Sequence, residues 1–462
     1  MSKLLKQSVS ADTQRELIDK YGFNPALLSN FYATKMTEAK MKSGGGGCQI
    51  LFLGDSTFAG TDVTNRNVNS IPGVVRRVLR NEFEQTSGCV GFVPCRYQSS
   101  AVDSNPATVA TTGSRGAPTN IASYTATGSQ GYVLPSSATA TPTAISFTFT
   151  GATRAPQIVH IKNAGVTGAT QQGTWTLTSI LGFSASGTYT FRDEISADYE
   201  GAIRSLTGVS VLDKDDTYTL TIAGLASDGG VSSPAWISGI LTYGDEWNSG
   251  IRVHNIACTG TTLYDDDAVP VGLGMYRSDD DAGIEAILLY NNVTIFCSSS
   301  SATSGSAKTD LVVCNWGLND QGHYGTTIAN SYGNIGAAEV ATAKNGYDVY
   351  LSYLCRFIED LKNQTSRPDV LMVDMPISED RGPQLRLFQL AKRNACDIMG
   401  AAYINLSKIY TPGERSITMA SAYDADSIHM TAAGYGQMGT DIAQCLYSGY
   451  LWYKTIGSSR TL

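Results

Sequence analysis

Cys48-Gln49-Ile50-Leu51-Phe52-Leu53-Gly54-Asp55-Ser56 is the stretch that sets the reading of the rest of the chain. An uncharged, largely apolar run stops at a glycine, and the polar pair Asp55-Ser56 follows at once. A run of this kind, bounded by a turn residue, fits a strand buried on both faces in a parallel sheet. Beyond it Val74, Val75, Val78, Leu79 and Phe83 form an apolar stripe, with Arg76, Arg77, Arg80 and Glu82 outside it, which predicts a helix packed by one face. Ser56 is therefore expected at the exit of a buried strand, where open α/β sheets place their ligands.

A serine hydroxyl needs a base to take its proton, and the base needs a third group to fix its tautomer and balance its charge. The chain has four histidines, His160, His254, His323 and His429. His429 alone is preceded three residues earlier by a carboxylate, Asp426, and the following Thr431-Ala432-Ala433-Gly434-Tyr435 reads as a capped helix start. Asp424 lies at the wrong spacing. Charge built on an ester oxygen also needs donors already in place. Leu311-Val312-Val313-Cys314-Asn315-Trp316 reads as a strand ending in Gly317-Leu318-Asn319-Asp320, so the Asn319 amide is one candidate donor. His254 to Thr262 is a second strand exit, in which Gly260 offers a backbone N–H unobstructed by a side chain. The N–H of Ser56 is the third.

Gly54-Asp55-Ser56, Gly260, Gly317 to Asp320 and Asp426 to His429 resemble, in order, the signature blocks of the SGNH (GDSL) hydrolase superfamily. The resemblance covers residues 48 to 95 and 250 to 447. It implies an α/β, flavodoxin-like three-layer α/β/α fold with esterase or lipase chemistry, a triad of Ser56, Asp426 and His429, and an oxyanion hole of Ser56, Gly260 and Asn319. Gly88 and Gly91 also lie in a glycine-containing loop after the first helix, and Asn255 to Gly260 matches the family's second block better than they do.

The chain has 462 residues, which suggests two or three domains, and a formal net charge of −8 with 16% charged residues. Without a basic cluster, no nucleic-acid partner is expected. Met1 to Gln7 lacks the apolar stretch of a secretory signal, and no window approaches a membrane span, so synthesis in the cytoplasm without membrane insertion is expected. Nine cysteines without metal-type spacing read as free thiols, and neither zinc nor any other metal or cofactor is implied. Asp265-Asp266-Asp267 and Asp279-Asp280-Asp281 lack calcium-loop spacing and read as solvated acidic turns.

Residues 1–47 read as a helical extension closed by Gly44 to Gly47, either an arm or interface element or a layer packed on the same domain. Residues 48–96 and 248–462 read as the hydrolase domain. Between them, 97–247 turns rich in Ser, Thr, Gly and Ala, with alternating segments such as Ile145 to Phe149, Thr174 to Thr178 and Thr217 to Ile222. These predict antiparallel strands of an inserted β-sandwich. Trp175, Tyr189, Trp236 and Trp247 are either sugar-stacking surfaces or core. After the insert, helical and strand-like segments alternate again, as a parallel sheet requires.

Within the superfamily, an all-β insert at this place, together with Gly88 to Pro94, resembles polysaccharide and peptidoglycan O-acetylesterases and the deacetylating tailspikes of bacteriophages. The expected function is therefore a metal-independent serine esterase that removes O-acetyl groups from a carbohydrate polymer. The resemblance also implies a virion-associated protein acting at the bacterial cell surface. A virion-attached or homo-oligomeric state through residues 1–43, with the chain acting as a glycan-adhering structural protein, is the alternative of a different class. A lipase is less favoured, since nothing reads as an amphipathic lid.

Overall fold

The computed structural model describes residues 11–36, 47–60, 63, 66–85, 91–94, 107–112, 132–134, 144–161, 172–190, 201–209, 211–224, 235–244, 250–257, 261–265, 273–277, 296, 309–318, 320, 337–364, 366–376, 382–410 and 429–456. A helix α1 (Ala11–Tyr21) and two short helical turns, Pro25–Leu28 and Phe31–Lys35, precede the first strand, β1 (Cys48–Gly54). A single turn α2 (Ser56–Ala59), a second turn α3 (Arg66–Asn69) and the helix α4 (Ile71–Glu82) follow.

Ten antiparallel strands come next: β2 (Phe92–Pro94), β3 (Ala107–Thr112), β4 (Tyr132–Leu134), β5 (Ala144–Thr150), β6 (Arg154–Ile161), β7 (Gln172–Ser179), β8 (Ser184–Thr190), β9 (Gly201–Ser205), β10 (Thr217–Gly224) and β11 (Ala235–Tyr243). The remaining strands are β12 (Ile251–Asn255), β13 (Thr261–Asp265), β14 (Leu273–Arg277), β15 (Leu311–Asn315), β16 (Asp369–Asp374) and β17 (Ala402–Asn405). The later helices are α5 (Ala337–Lys362), α6 (Gly382–Met399), α7 (Ser407–Tyr410) and α8 (Ala432–Thr455).

The central sheet is parallel throughout and runs β12-β1-β15-β16-β17. Numbered by their own chain order these strands read 2-1-3-4-5, a doubly wound order whose switch point lies between β1 and β15. Every residue of β1 and β15 is buried, because helices cover both faces. Ile50, Phe52, Val313 and Val373 face a core shared with α4 and α8, through Val75, Leu79, Met438 and Ile442. Their neighbours Leu51, Leu53, Val312 and Met372 face α5 and α6, through Leu354, Phe357, Phe388 and Ala395. This alternation is the two-residue period of a strand acting on both faces.

The segment before β1 belongs to the first of these cores. Leu17, Tyr21, Phe31 and Tyr32 are buried in it, and the Tyr21 hydroxyl donates to Asp441 of α8 at 3.0 Å. Phe31 N–H donates to Asp369 at 2.7 Å, and Lys35 pairs with Asp310 at 3.3 Å. Asp310 and Asp369 stand at the amino ends of β15 and β16, so this segment covers the end of the sheet opposite Ser56. Gly449 makes room for it: a Cβ there would lie 2.3 Å from the Tyr32 hydroxyl oxygen.

The antiparallel strands form two sheets, β3-β5-β10-β7-β8 and β2-β11-β6-β9, with β4 also paired to β11. Phe147, Trp175, Leu177 and Leu220 of the first share one core with Ile158, Ile237 and Ile240 of the second. The second sheet is buried on its other face as well, where Phe92, Val159, Leu241 and Tyr243 join the core of α5 and α6. Trp175 is core: Gly187 admits its ring, which a Cβ at that position would approach to 2.7 Å.

Candidate active site

β1 ends at Gly54, whose φ is +156° and whose missing side chain matters: a Cβ would stand 2.4 Å from the carbonyl oxygen of Asn315. Glycine thus lets the ends of β1 and β15 close on each other at the switch point. Asp55 then caps the turn α2, accepting from Thr57 N–H at 2.9 Å and from the Thr57 hydroxyl at 2.7 Å. The Asn315 amide donates to the same Asp55 oxygen at 3.3 Å and to the Thr57 hydroxyl at 2.6 Å. Ser56 is the first residue of α2, held between these fixed neighbours and only 3% exposed. Gly60, at φ +73°, ends the turn.

The block after β12 is tied to the same turn. Asn255 donates to Phe58 O at 3.0 Å and accepts from Ala257 N–H at 3.1 Å, while Ile256 N–H donates to Phe52 O at 3.0 Å. The block after β15 is tied to it in turn, since Asp320 accepts from Gly317 N–H at 2.9 Å and from Leu263 N–H at 2.8 Å. One buried carboxylate therefore closes the Gly317 to Asp320 turn and fastens β13 beside it.

His429 arrives just ahead of α8. Met430 is buried in the core and the Thr431 hydroxyl accepts from Gly434 N–H at 3.2 Å, so the cap fixes where the chain enters the helix. Burial pushes the Asp55 carboxyl above its ordinary range. The Thr57 hydrogen bonds pull it back down, and the charges of Lys392 and then His429 act in the same sense. Of the expected site residues, Ser56 and His429 are described; Gly260, Asn319, Asp426 and the alternative Asp424 lie outside the described residues.

Two other histidines have settled surroundings. His254 Nδ1 accepts from Phe92 N–H at 3.2 Å and its Nε2 lies 3.1 Å from Gln49 Oε1. With Nδ1 accepting, Nε2 carries the proton and donates. Burial, then Arg252, Arg76 and Arg80, lowers its pKa to about 3, so it is a neutral core group. Gly91, a rival to Gly260 in the sequence, packs on that ring: a Cβ there would lie 3.0 Å from Nδ1. His160 is buried in β6. His323 lies outside the described residues.

Behind the Gly317 turn is a layer that no motif in the sequence flags. Lys392 of α6, 2% exposed, pairs with the fully buried Asp374 at the end of β16 and donates to Val373 O at 3.3 Å. Tyr403 also donates to Asp374. The buried Tyr350 hydroxyl of α5 faces Gly317, 3.2 Å from where a Cβ would be. Burial first, then Asp320, Asp374 and Asp55, drives its pKa well up, so it stays a neutral phenol. Among the described residues no group of three or more His, Cys, Asp or Glu could hold a metal ion, and no helix is long and apolar enough to cross a membrane.

No protein-family model matches the sequence, and no curated protein matches it. Comparison with solved structures does find similarity. A structure titled as a peptidoglycan O-acetylesterase is similar at TM-score 0.51 and 15% identity, with 92% of this chain and 97% of that chain covered. A family 2 carbohydrate esterase with a carbohydrate-binding domain from Corynascus thermopiles (Myceliophthora fergusii) reaches TM-score 0.28 at 13% identity, covering 75% of this chain and 100% of its own. A family two carbohydrate esterase from Cellvibrio japonicus gives 0.28 at 9%, with 75% and 99% covered. The chain shares the mixed α/β fold, with its central parallel sheet, of the first of these.

Proposed function

We propose that the chain is a serine esterase of the SGNH type that removes O-acetyl groups from a carbohydrate polymer, polysaccharide or peptidoglycan. The observation that carries this reading is Ser56, buried at the carboxyl end of β1 at the switch point of a 2-1-3-4-5 parallel sheet, in a turn held by the Asp55 cap and by Asn315. The fold shared with a peptidoglycan O-acetylesterase favours the substrate class. In finer detail the reading is a three-layer hydrolase domain, 48–96 and 248–462, with a β-sandwich inserted at 97–247.

In this mechanism Ser56 Oγ attacks the acetyl carbonyl while His429 takes its proton, and Asp426 orients the imidazolium. The tetrahedral oxyanion is received by the N–H groups of Ser56 and Gly260 and by the Asn319 amide. His429 then protonates the departing sugar oxygen, and water repeats the sequence on the acetyl-enzyme. The test is acetate release from a panel of acetylated polysaccharides and peptidoglycan, with Ser56→Ala as the control. Release that persists in the control, or no release from any member of the panel, removes the reading.

A further inference from the structure

Both neighbours of Ser56 are held by one side chain from another strand. Asn315 ends β15 and is 2% exposed. Its backbone pairs with Gly54 in the register of β1 and β15, and its carbonyl oxygen occupies the space that a Cβ on Gly54 would need. Its amide donates to the Thr57 hydroxyl at 2.6 Å and to Asp55 Oδ1 at 3.3 Å. Val313 faces the core of α4 and α8, and Cys314 faces that of α5 and α6. The two-residue period therefore puts the Asn315 side chain on the face of the sheet where α8 packs, with His429 just ahead of that helix.

The turn does not need Asn315 in order to form. Asp55 already caps it, accepting from the Thr57 N–H at 2.9 Å and from the Thr57 hydroxyl at 2.7 Å, and such a cap is local to its own segment. The Asn315 amide adds a tie of another kind, reaching Thr57 across 258 positions of sequence. Two residues further along its own strand, Gly317 opens the turn that Asp320 closes. Hydrogen bonds of this sort return only a modest net stability, yet they fix the placement of one element against another. Resting on the esterase reading above, we propose that Asn315 is a positioning residue for the hydrolysis. It sets the Ser56 turn against the end of β15, the strand leading into the block from which the mechanism draws Asn319 as an oxyanion donor. It acts on Ser56 through Asp55 and Thr57.

The test uses Asn315→Leu, which removes the amide at similar volume, Thr57→Val, which removes the hydroxyl at similar shape, the two together, and Thr57→Ser, which keeps a hydroxyl. Melting temperature is read for each, and kcat and KM on a small acetyl ester are read well below it, where every molecule is folded. A misplacement of about 1 Å can cost about a hundredfold in rate, so Asn315→Leu is expected to lower kcat about tenfold to a hundredfold with KM within about threefold. Thr57→Val should lose at least as much, and Thr57→Ser should regain most of that loss. The double variant should be little worse than Thr57→Val alone, because both changes cut the same tie. Parental kcat in folded Asn315→Leu makes the amide a structural contact and overturns the proposal. A rise confined to KM, or losses that multiply in the double variant, overturns it as well.

If Asn315→Leu shows no cooperative melt, Thr57→Val against Thr57→Ser decides it. A gap of about tenfold or more in kcat between these two supports the tie, and equal kcat overturns it. Failure of the esterase reading is separate, for then the parent neither hydrolyses the ester nor reacts with a fluorophosphonate at Ser56.

Discussion

Ser56, Asp426 and His429 act, on the proposed mechanism, as a unit, so single losses should be nearly as damaging as combined ones. Ser56→Ala and His429→Ala are each expected to lower kcat on a small acetyl ester by about a thousandfold or more while the melting temperature stays near the parent's. Thr57 cannot stand in for the nucleophile, because its hydroxyl donates to Asp55 and accepts from Asn315. Asp426→Asn should cripple turnover and Asp424→Asn should not; the reverse ranking would reassign the carboxylate. His254 gives a prediction about stability instead. Its folded pKa, lowered to about 3, lies below the unfolded value, so the unfolded chain binds this proton first as pH falls. The contribution is complete above about pH 6.5 and is lost progressively toward pH 3, on the order of 5 kcal/mol in all. Melting curves across that window should show the loss in the parent and a flatter dependence in His254→Gln, where an amide replaces both ring contacts without titrating.

At the scale of elements, the strand-turn-helix around Ser56 could be read from residues 48 to 83 because its signals are local: an apolar run, a glycine, a capping carboxylate and an amphipathic stripe. The layer behind it could not. Lys392 looks like an ordinary polar position on α6 until the helix is placed against β16, and Asp374 looks like the polar end of a strand. Asn315 and Asp320 likewise acquire their partners only when β1, β13 and β15 are brought together. Gly54 tests the strand crossing directly. Gly54→Ala places a Cβ against the Asn315 carbonyl at a φ that side chains rarely adopt, so the ends of β1 and β15 must part. A loss of roughly 1–3 kcal/mol in urea unfolding is expected, with most of the ester hydrolysis gone. Gly436→Ala in α8 is the contrasting case. Nothing lies within 4 Å of its added Cβ, and a helical glycine replaced by alanine should add about 0.5–1 kcal/mol without changing kcat.

For the whole molecule, the segment before β1 was open in the sequence between an arm and a packed layer, since its helical pattern is the same in either case. What distinguishes them is long-range: Phe31 on Asp369, Lys35 on Asp310 and Tyr21 on Asp441. Removing residues 1–36 would take Leu28, Phe31 and Tyr32 out of the core shared with α8, uncover Tyr450 and Tyr453 of that helix, and leave Asp310 and Asp369 without these partners. The truncated chain is expected to be insoluble or to lose its cooperative melt; a variant melting within a few degrees of the parent would show the layer to be dispensable.

The second antiparallel sheet raises the matching question on the other side of the molecule, because it is the wall between two cores. Cutting out 97–247 would take away β3 to β11 at once and uncover Phe92, which pairs with Leu241, so that deletion cannot separate a role in substrate binding from a role in folding. Two neighbouring residues can. Ile240 faces the core shared with the other antiparallel sheet, and Leu241 faces the core shared with α5 and α6. Each substitution to alanine is expected to cost about 2–5 kcal/mol by the cavity it leaves, yet the consequences should diverge. Leu241→Ala should raise hydrogen exchange in β15 and α5 and lower kcat on a small acetyl ester, since the Gly317 turn and Tyr350 rest on that core. Ile240→Ala should raise exchange in β5, β7 and β10 and leave small-ester turnover near the parent's. If both variants lose turnover equally, the two cores behave as one cooperative unit and the β-strands between β1 and β12 are part of the catalytic frame rather than an appendage to it.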